Sequence, residues 1–199
     1  AMETISNTNA VEVSPEDFLT KQFDTPVVCQ IGPQHYTRRK DGKAFDFDDF
    51  VKNPSEYESA FEPYTRVTDI FVAAHFWDPD SPSFFTLEDM KKPGFSISVI
   101  ADVSCDINGP IPSTIRATTI AEPFYGFNPQ KEQEERPFKD PHNITVMAVD
   151  NLPGELPRDA SSDFGTQLMD NIMDDLLTGK DSPMLRRATI CEGGRLTER

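Results

Sequence analysis

The sequence predicts an α/β domain built on a parallel sheet, and three observations carry that prediction. Segments 69–77 (DIFVAAHFW), 96–103 (SISVIADV) and 144–149 (ITVMAV) are apolar almost throughout, as strands covered on both faces should be. Segments with helical signals alternate with them, the arrangement that produces parallel strands and crossovers. Each apolar run ends in a polar or aromatic cluster: His75-Phe76-Trp77-Asp78, then Asp102, Ser104 and Asp106, then Asp150-Asn151. Parallel strands finish on one edge of their sheet, and a crevice there is where open α/β sheets take a nucleotide.

Residues 1–9 read as the tail of a helix, and 10–14 (AVEVS) as a short strand. Ser14 is placed to cap a helical turn that Pro15 opens, since proline suits the first helical position. Residues 25–31 (TPVVCQI) form a second strand. From 32 to 54 the chain is polar and aromatic with Gly and Asp, which predicts loop anchored by Phe45, Phe47 and Phe50. In 54–64, Tyr57, Phe61 and Tyr64 fall at i, i+4 and i+7, the stripe of a helix. Thr86 caps a short helix whose Glu88 and Asp89 suit its positive end. Residues 124–143, with NPQKEQEERPFKDPHN, read as a charged surface excursion without regular structure. Phe164, Leu168, Ile172 and Leu176 lie four apart, with Met169, Met173 and Leu177 beside them. They predict a helix over 159–177 with its methionines in the core, stopped by Thr178-Gly179. Residues 187–191 (RATIC) read as a final strand.

Composition narrows the function classes. The chain has 199 residues, 15 Phe for a core, 17 Pro and a net charge of -15. A mean hydropathy of -0.50 implies long polar connections. So acidic a chain repels nucleic acid, and its basic groups are short: Arg38-Arg39-Lys40 and Arg186-Arg187. Cys29, Cys105 and Cys191 are isolated, which gives neither a disulfide framework nor a zinc site. Free thiols fit a reducing cytoplasm, and the absence of an 18-residue apolar run predicts no membrane association. The Asn143-Ile144-Thr145 sequon stands without other signs of secretion.

The chemistry gathers at the strand ends. Asp102, Ser104 and Asp106 are spaced by two, so an extended strand would present all three on one face and turn Val103 and Cys105 to the other. The same spacing also suits ordinary polar residues leaving a sheet for a loop. Pro153 and Gly154 allow a sharp turn after Asn151, whose amide both donates and accepts. His75 has the chemistry of an acid–base group and equally that of a satisfied structural residue. His75, Asp78 and Asp80 match no strong metal-ligand spacing, and no metal is expected.

Four segments together resemble the saccharopine dehydrogenase and lysine–ketoglutarate reductase branch of the alanine dehydrogenase superfamily. They are 101–120 (ADVSCDINGPIPSTIRATTI), 148–161 (AVDNLPGELPRDAS), 13–27 (VSPEDFLTKQFDTPV) and 187–199 (RATICEGGRLTER). The 150–154 turn is also similar to the ANMPG-type segment of alanine dehydrogenases. The resemblance implies an incomplete Rossmann domain over 1–157 and, over 158–199, a helix–strand segment returning to a catalytic domain outside this chain. It implies an amino-acid oxidoreductase using NAD or NADP, with hydride passing between the nicotinamide and an imine of lysine and 2-oxoglutarate. An alanine dehydrogenase-like enzyme and a non-catalytic acidic module or fragment are the alternatives. The family's catalytic Lys/His pair falls outside this chain. Its Gly-rich loop would lie before Ala1, and no GxGxxG occurs here.

Carried over by position, Asp106 takes the place of the nicotinamide-side aspartate, and Asn151 and Leu152 those of residues facing the ring. His75 and Phe76 end the strand that borders the adenosine ribose and pyrophosphate. Ser14 stands where many NAD enzymes have a ribose-binding aspartate, which leaves room for a 2′-phosphate. Asp102, Ser104 and Asp150 complete the expected cofactor-binding set. The expected partners are an amino acid and a 2-oxo acid, in a cytoplasmic protein that neither nucleic acid nor membrane holds. The stripe of the last helix suits packing on a second domain or a second subunit, so a homo-oligomer stays open.

Overall fold

The computed structural model describes residues 9–197, so the helix tail expected over residues 1–9 lies, but for Asn9, outside the described residues. Two compact units divide between Asp150 and Asn151.

The first unit is organised by a five-stranded sheet. Its strands are β5 (Ile70–Ala73), β6 (Val99–Asp102), β9 (Ile144–Met147), β7 (Phe124–Asn128) and β8 (Gln133–Glu135), in that spatial order. β5, β6 and β9 are parallel, as their continuous apolar runs require, and β7 and β8 return antiparallel. Ile100 and Val146 are wholly buried at its centre, in a core shared with Phe61, Phe71, Phe85, Ile111 and Tyr125. A parallel pair, β1 (Val11–Glu12) with β2 (Val27–Val28), and an antiparallel pair, β3 (Thr37–Arg39) with β4 (Tyr57–Ser59), stand apart from that sheet.

The capping residues read from the sequence hold. Ser14 Oγ accepts from the Asp17 amide at 3.1 Å and starts α1 (Pro15–Thr20). Thr86 and Asp89 form a reciprocal capping box on α5 (Leu87–Met90).

Elsewhere the structure corrects the sequence expectations. Residues 32–54 are not mostly loop. Pro33 opens α2 (Pro33–Tyr36), β3 follows, and Asp46 caps α3 (Phe47–Lys52) through the Asp49 amide at 2.8 Å. Phe45 and Phe50 do anchor this stretch, each against Tyr57, but Phe47 points to solvent. Tyr57, Phe61 and Tyr64 are all buried, yet not on one helix. A 3-10 turn over Pro54–Glu56 leads into β4, and only Glu62–Thr65 (α4) is helical. Pairing with β3 satisfies the backbone of Tyr57–Ser59 in an extended form, so helical spacing there is coincidental.

β5 is an edge strand with alternating exposure rather than a central one, because nothing hydrogen-bonds along its other side among the described residues. The excursion at 124–143 is a β-hairpin. Tyr125 and Phe127 are buried, and Gly126 lies so close to the neighbouring strand that a Cβ would sit 2.6 Å from the Arg136 carbonyl oxygen. The side chain of Asn128 orders the hairpin turn by accepting from the Gln130 and Lys131 amides.

The second unit opens with a 3-10 turn, Leu152–Glu155, in which the Gly154 amide donates to the Asn151 carbonyl at 3.0 Å. A long helical run follows: α6 (Pro157–Leu168), a π-helical stretch at Met169–Met173 and α7 (Asp174–Thr178). It ends at left-handed Gly179, as Thr178-Gly179 predicted. Its methionines are not core: Met169 is exposed with Phe164, Leu176 and Leu177, and Met173 is half-buried with Leu168 and Ile172. The final strand expected over 187–191 is also corrected. Pro183–Ala188 is helical (α8), and β10 (Cys191–Glu192) pairs with β11 (Arg195–Leu196) across Gly193 and Gly194, both at positive φ. That two-residue turn needs left-handed backbone at both positions, which glycine supplies without strain.

Candidate functional site

The parallel register fixes what meets at the sheet edge. Ala73 pairs with Asp102, and Ala101 with Met147, so β5, β6 and β9 finish level and side by side. The residues that follow them, His75, Ser104, Asp106 and Asp150, therefore leave the sheet along one edge.

The alternating strand face expected of Asp102, Ser104 and Asp106 does not form. β6 stops at Asp102, and Cys105 adopts a left-handed backbone with φ of 54°. The three side chains consequently do different work. Asp102 is 1% exposed, and both its oxygens are engaged inside the unit. Oδ1 accepts from the Cys105 amide at 3.0 Å and Oδ2 from the Thr114 hydroxyl at 2.7 Å. It ties the loop to the sheet. Asp106 is half-buried and begins the turn to Gly109, whose amide donates to the Asp106 carbonyl at 2.9 Å. Only glycine fits at 109, since a Cβ would lie 2.7 Å from that same carbonyl oxygen. Cys105 sits on this loop rather than on the inner face of a strand. Its Sγ donates to the Ala148 carbonyl at 3.1 Å, and burial followed by the carboxylates of Asp102, Asp150 and Asp106 pushes the thiol up. A thiol so held is a poor nucleophile.

Ser104 turns towards β5. Its Oγ donates to the His75 carbonyl at 2.8 Å, accepts from the His75 amide at 3.2 Å and lies 3.3 Å from His75 Nδ1. One side chain thus extends the β5–β6 ladder past its last backbone pair. The His75 ring packs edge-on against Phe84, centroids 4.6 Å apart. Burial pushes the imidazole down, while the carboxylates of Asp102 and Asp106 oppose that shift without overcoming it. Phe76, by contrast, is 91% exposed.

His75 also lines a cavity of about 360 Å³ along the free edge of β5. Val27, Val28, Cys29 and Ile31 form the facing wall, with Phe18, Tyr36, Phe61, Tyr64 and Phe84 around it. His75 Nε2 and Trp77 Nε1 are buried polar atoms with no hydrogen-bond partner among the described residues. Buried groups of this kind are normally paired.

The other expected site residues are placed as follows. Ser14 is exposed and already spends its hydroxyl on the α1 cap. Asp150 is exposed at the end of the first unit. Asn151, exposed, and Leu152, half-buried, open the second. Among the described residues no three His, Cys, Asp or Glu side chains gather as metal ligands. No helix there is long and apolar enough to cross a membrane. Thr114 was missed by sequence reading. Its signal would have been the 12-residue spacing from Asp102 across a Gly-Pro turn, which nothing local marks.

A mostly parallel sheet whose polar strand ends share one edge is the α/β arrangement in which open sheets place their ligand sites. The similarities agree and go further. The chain is similar to alpha-aminoadipic semialdehyde synthase of Arabidopsis thaliana, 32% identical over 193 residues, covering 93% of this chain and 18% of that protein. It is similar to the mitochondrial alpha-aminoadipic semialdehyde synthase of Mus musculus, at 25% identity over 94% of this chain and 23% of the relative. The NAD(+)-named, L-lysine-forming saccharopine dehydrogenase of Schizosaccharomyces pombe is 32% identical over 56% of this chain and 29% of its own length. No protein-family model matches the chain. Its homologues are therefore saccharopine dehydrogenases and aminoadipic semialdehyde synthases, the branch that the four sequence segments resemble. The chain spans less than a third of the length of each of these relatives.

Proposed function

We propose that this chain is the cofactor-side portion of an amino-acid oxidoreductase of the saccharopine dehydrogenase type, acting on a C–N bond. The observation that carries the reading is the match to the Arabidopsis synthase across 93% of the chain, coincident with the level parallel strand ends. When bound, a nicotinamide dinucleotide supplies the hydride for reducing an imine of an amine and a 2-oxo acid. Lysine and 2-oxoglutarate are the preferred pair.

The residues of this chain would orient and hold that cofactor. His75 lines the cavity with Ser104 hydrogen-bonded to it, and Asp106 takes the nicotinamide-side position that the resemblance assigns. Asp150 offers negative charge where the ring becomes positive. Asn151 and Leu152 are given the ring-facing role by the same resemblance, Phe76 the ribose border, and Ser14 the position that governs a 2′-phosphate. Asp102 supports the loop that carries Ser104 and Asp106. NAD and NADP both remain in the proposal, since Ser14 carries no carboxylate to repel a phosphate. The S. pombe relative carries NAD(+) in its name. The amide cradle that a Gly-rich loop gives a pyrophosphate is not among these residues.

Cytoplasmic location, freedom from nucleic acid and membrane, and self-association through the last helix belong to the same proposal. They are supported by the -15 charge, the free thiols and the exposed apolar stripe. The mouse relative's name places that protein in mitochondria.

The test is an assay of the full-length protein that contains this chain. Lysine plus 2-oxoglutarate should oxidise NADH or NADPH, and Asp106→Ala should weaken cofactor use. Turnover of pyruvate plus ammonia instead would move the reading to an alanine dehydrogenase-like enzyme, and no turnover of either would favour the binding module.

A further inference from the structure

Asp106 is held from both sides by bonds that converge on one buried residue. Before it, the Cys105 amide donates to Asp102 Oδ1 at 3.0 Å. After it, the Asn108 amide reaches the Thr114 carbonyl at 3.4 Å, and the Gly109 amide closes the turn onto the Asp106 carbonyl at 2.9 Å. That turn is tight enough for a Cβ at 109 to strike Asp106 Cβ at 2.6 Å, so it moves as one piece, and what holds Asn108 also holds Asp106. The two ties meet at Thr114, 1% exposed, whose hydroxyl donates to Asp102 Oδ2 at 2.7 Å. Thr114 is fixed in turn from β7. The Tyr125 hydroxyl donates to the Ser113 carbonyl at 2.6 Å and accepts from the Ile115 amide at 3.1 Å, which grips the backbone on either side of Thr114. Burial pushes that phenol up, so it keeps its proton and donates.

We propose that Thr114 and Tyr125 are positioning residues that hold Asp106 at the strand-end edge before a cofactor binds. The inference rests on the reading of Asp106 as the nicotinamide-side aspartate and deepens it, by naming what keeps that residue in place. Ordering a loop at the moment of binding subtracts from affinity, and a loop ordered in advance does not. Both residues are buried within the first unit, Tyr125 also at 1% exposure, so they act through the backbone they hold rather than by touching a ligand. The loop between them is itself seated in the core by Ile111, which is wholly buried. Its far end is tied to β9, where the Thr118 amide donates to the Ala148 carbonyl at 2.8 Å.

The experiment is a double-variant cycle in the full-length protein that contains this chain, read as the Kd of NADH and of NADPH by nucleotide fluorescence. Thr114→Val keeps the shape of the side chain and removes its hydroxyl. It should weaken binding about tenfold, the loss of one hydrogen bond, and Thr114→Ser should restore affinity to within about twofold of the parent. In an Asp106→Ala background, Thr114→Val should weaken binding by less than about twofold, because the residue it positions is gone. Tyr125→Phe removes only the phenol oxygen and should follow the same pattern. It carries the test if a thermal melt shows that Thr114→Val does not fold. Amide hydrogen exchange at Asn108 should speed up in both variants. Unchanged affinity in Thr114→Val and Tyr125→Phe, an equal loss with and without Asp106, or exchange at Asn108 as slow as in the parent each overturns the inference and leaves the dinucleotide reading standing. Asp106→Ala with undiminished affinity would bring down the role of Asp106 and the inference together. A parent protein that binds neither nucleotide would bring down the dinucleotide reading as well.

Discussion

The two units spend similar apolar side chains in opposite ways. In the first, Ile100 and Val146 have a paired strand on either side and share a core with aromatic rings, and both are wholly buried. In the second, Phe164 and Leu177 lie on a regular amphipathic stripe and stay 65% and 76% exposed. Period alone does not make a core. A stripe is buried only where another layer covers it, and in the first unit Phe61, Phe85 and Ile111, from outside the sheet, are part of that layer. The largest effect expected here tests this contrast directly. Ile100→Ala should cost about 3 kcal/mol through lost burial and a residual cavity. Phe164→Gln should change stability by less than about 0.5 kcal/mol, as surface substitutions do. Urea melts of the two variants measure both, and equal losses would show that the helix stripe is covered in solution.

Much of the first unit was legible because its signals are local. The three parallel strands announce themselves as apolar runs, and Ser14 and Thr86 are capping residues whose partners lie three positions on. The failures share a cause. Tyr57, Phe61 and Tyr64 have helical spacing, but Tyr57–Ser59 pairs with β3, some twenty residues upstream, and pairing at that distance leaves no local mark. The hairpin at 124–135 was hidden by its charged turn, although Phe124-Tyr125-Gly126-Phe127 carries strand-forming aromatics. The site was legible by position and not by role. His75, Ser104 and Asp106 do leave the sheet at one edge. That Asp102 is spent inside the loop, and that Ser104 binds His75 three ways, follow from the left-handed turn at Cys105, which a non-glycine residue does not advertise.

A smaller effect sharpens the contrast within the first unit, where burial and polar bonding share a single residue. Asp102→Ala removes the acceptors of the Cys105 amide and the Thr114 hydroxyl, and should cost about 2 kcal/mol because those donors stay out of water. It should also deepen the downward shift of His75, since the Asp102 carboxylate is the larger of the two charges opposing that shift. An NMR titration of His75 in the variant checks the direction. An upward move would mean that the Asp102 carboxylate does not oppose the shift at the ring.

The smallest effect belongs to the rim of the same sheet, where β8 is held by surface charge rather than by a covering layer. Glu135 accepts from Lys131 Nζ at 2.8 Å and from Asn143 Nδ2 at 2.7 Å, and these bonds hold its carboxyl down at about 2. A carboxyl whose folded value lies below its unfolded value stabilises the protein above the ordinary carboxylate range, and that contribution fades as pH falls towards 2. Glu135→Gln should therefore be less stable than the parent near neutrality, and the two should converge as pH falls to about 2. Because the pair is solvated, the gap should be small and should shrink with salt. Melting temperatures across pH 2–7, at low and high ionic strength, decide it. A gap that persists at the acid end would assign the loss to the Asn143 hydrogen bond instead of to charge.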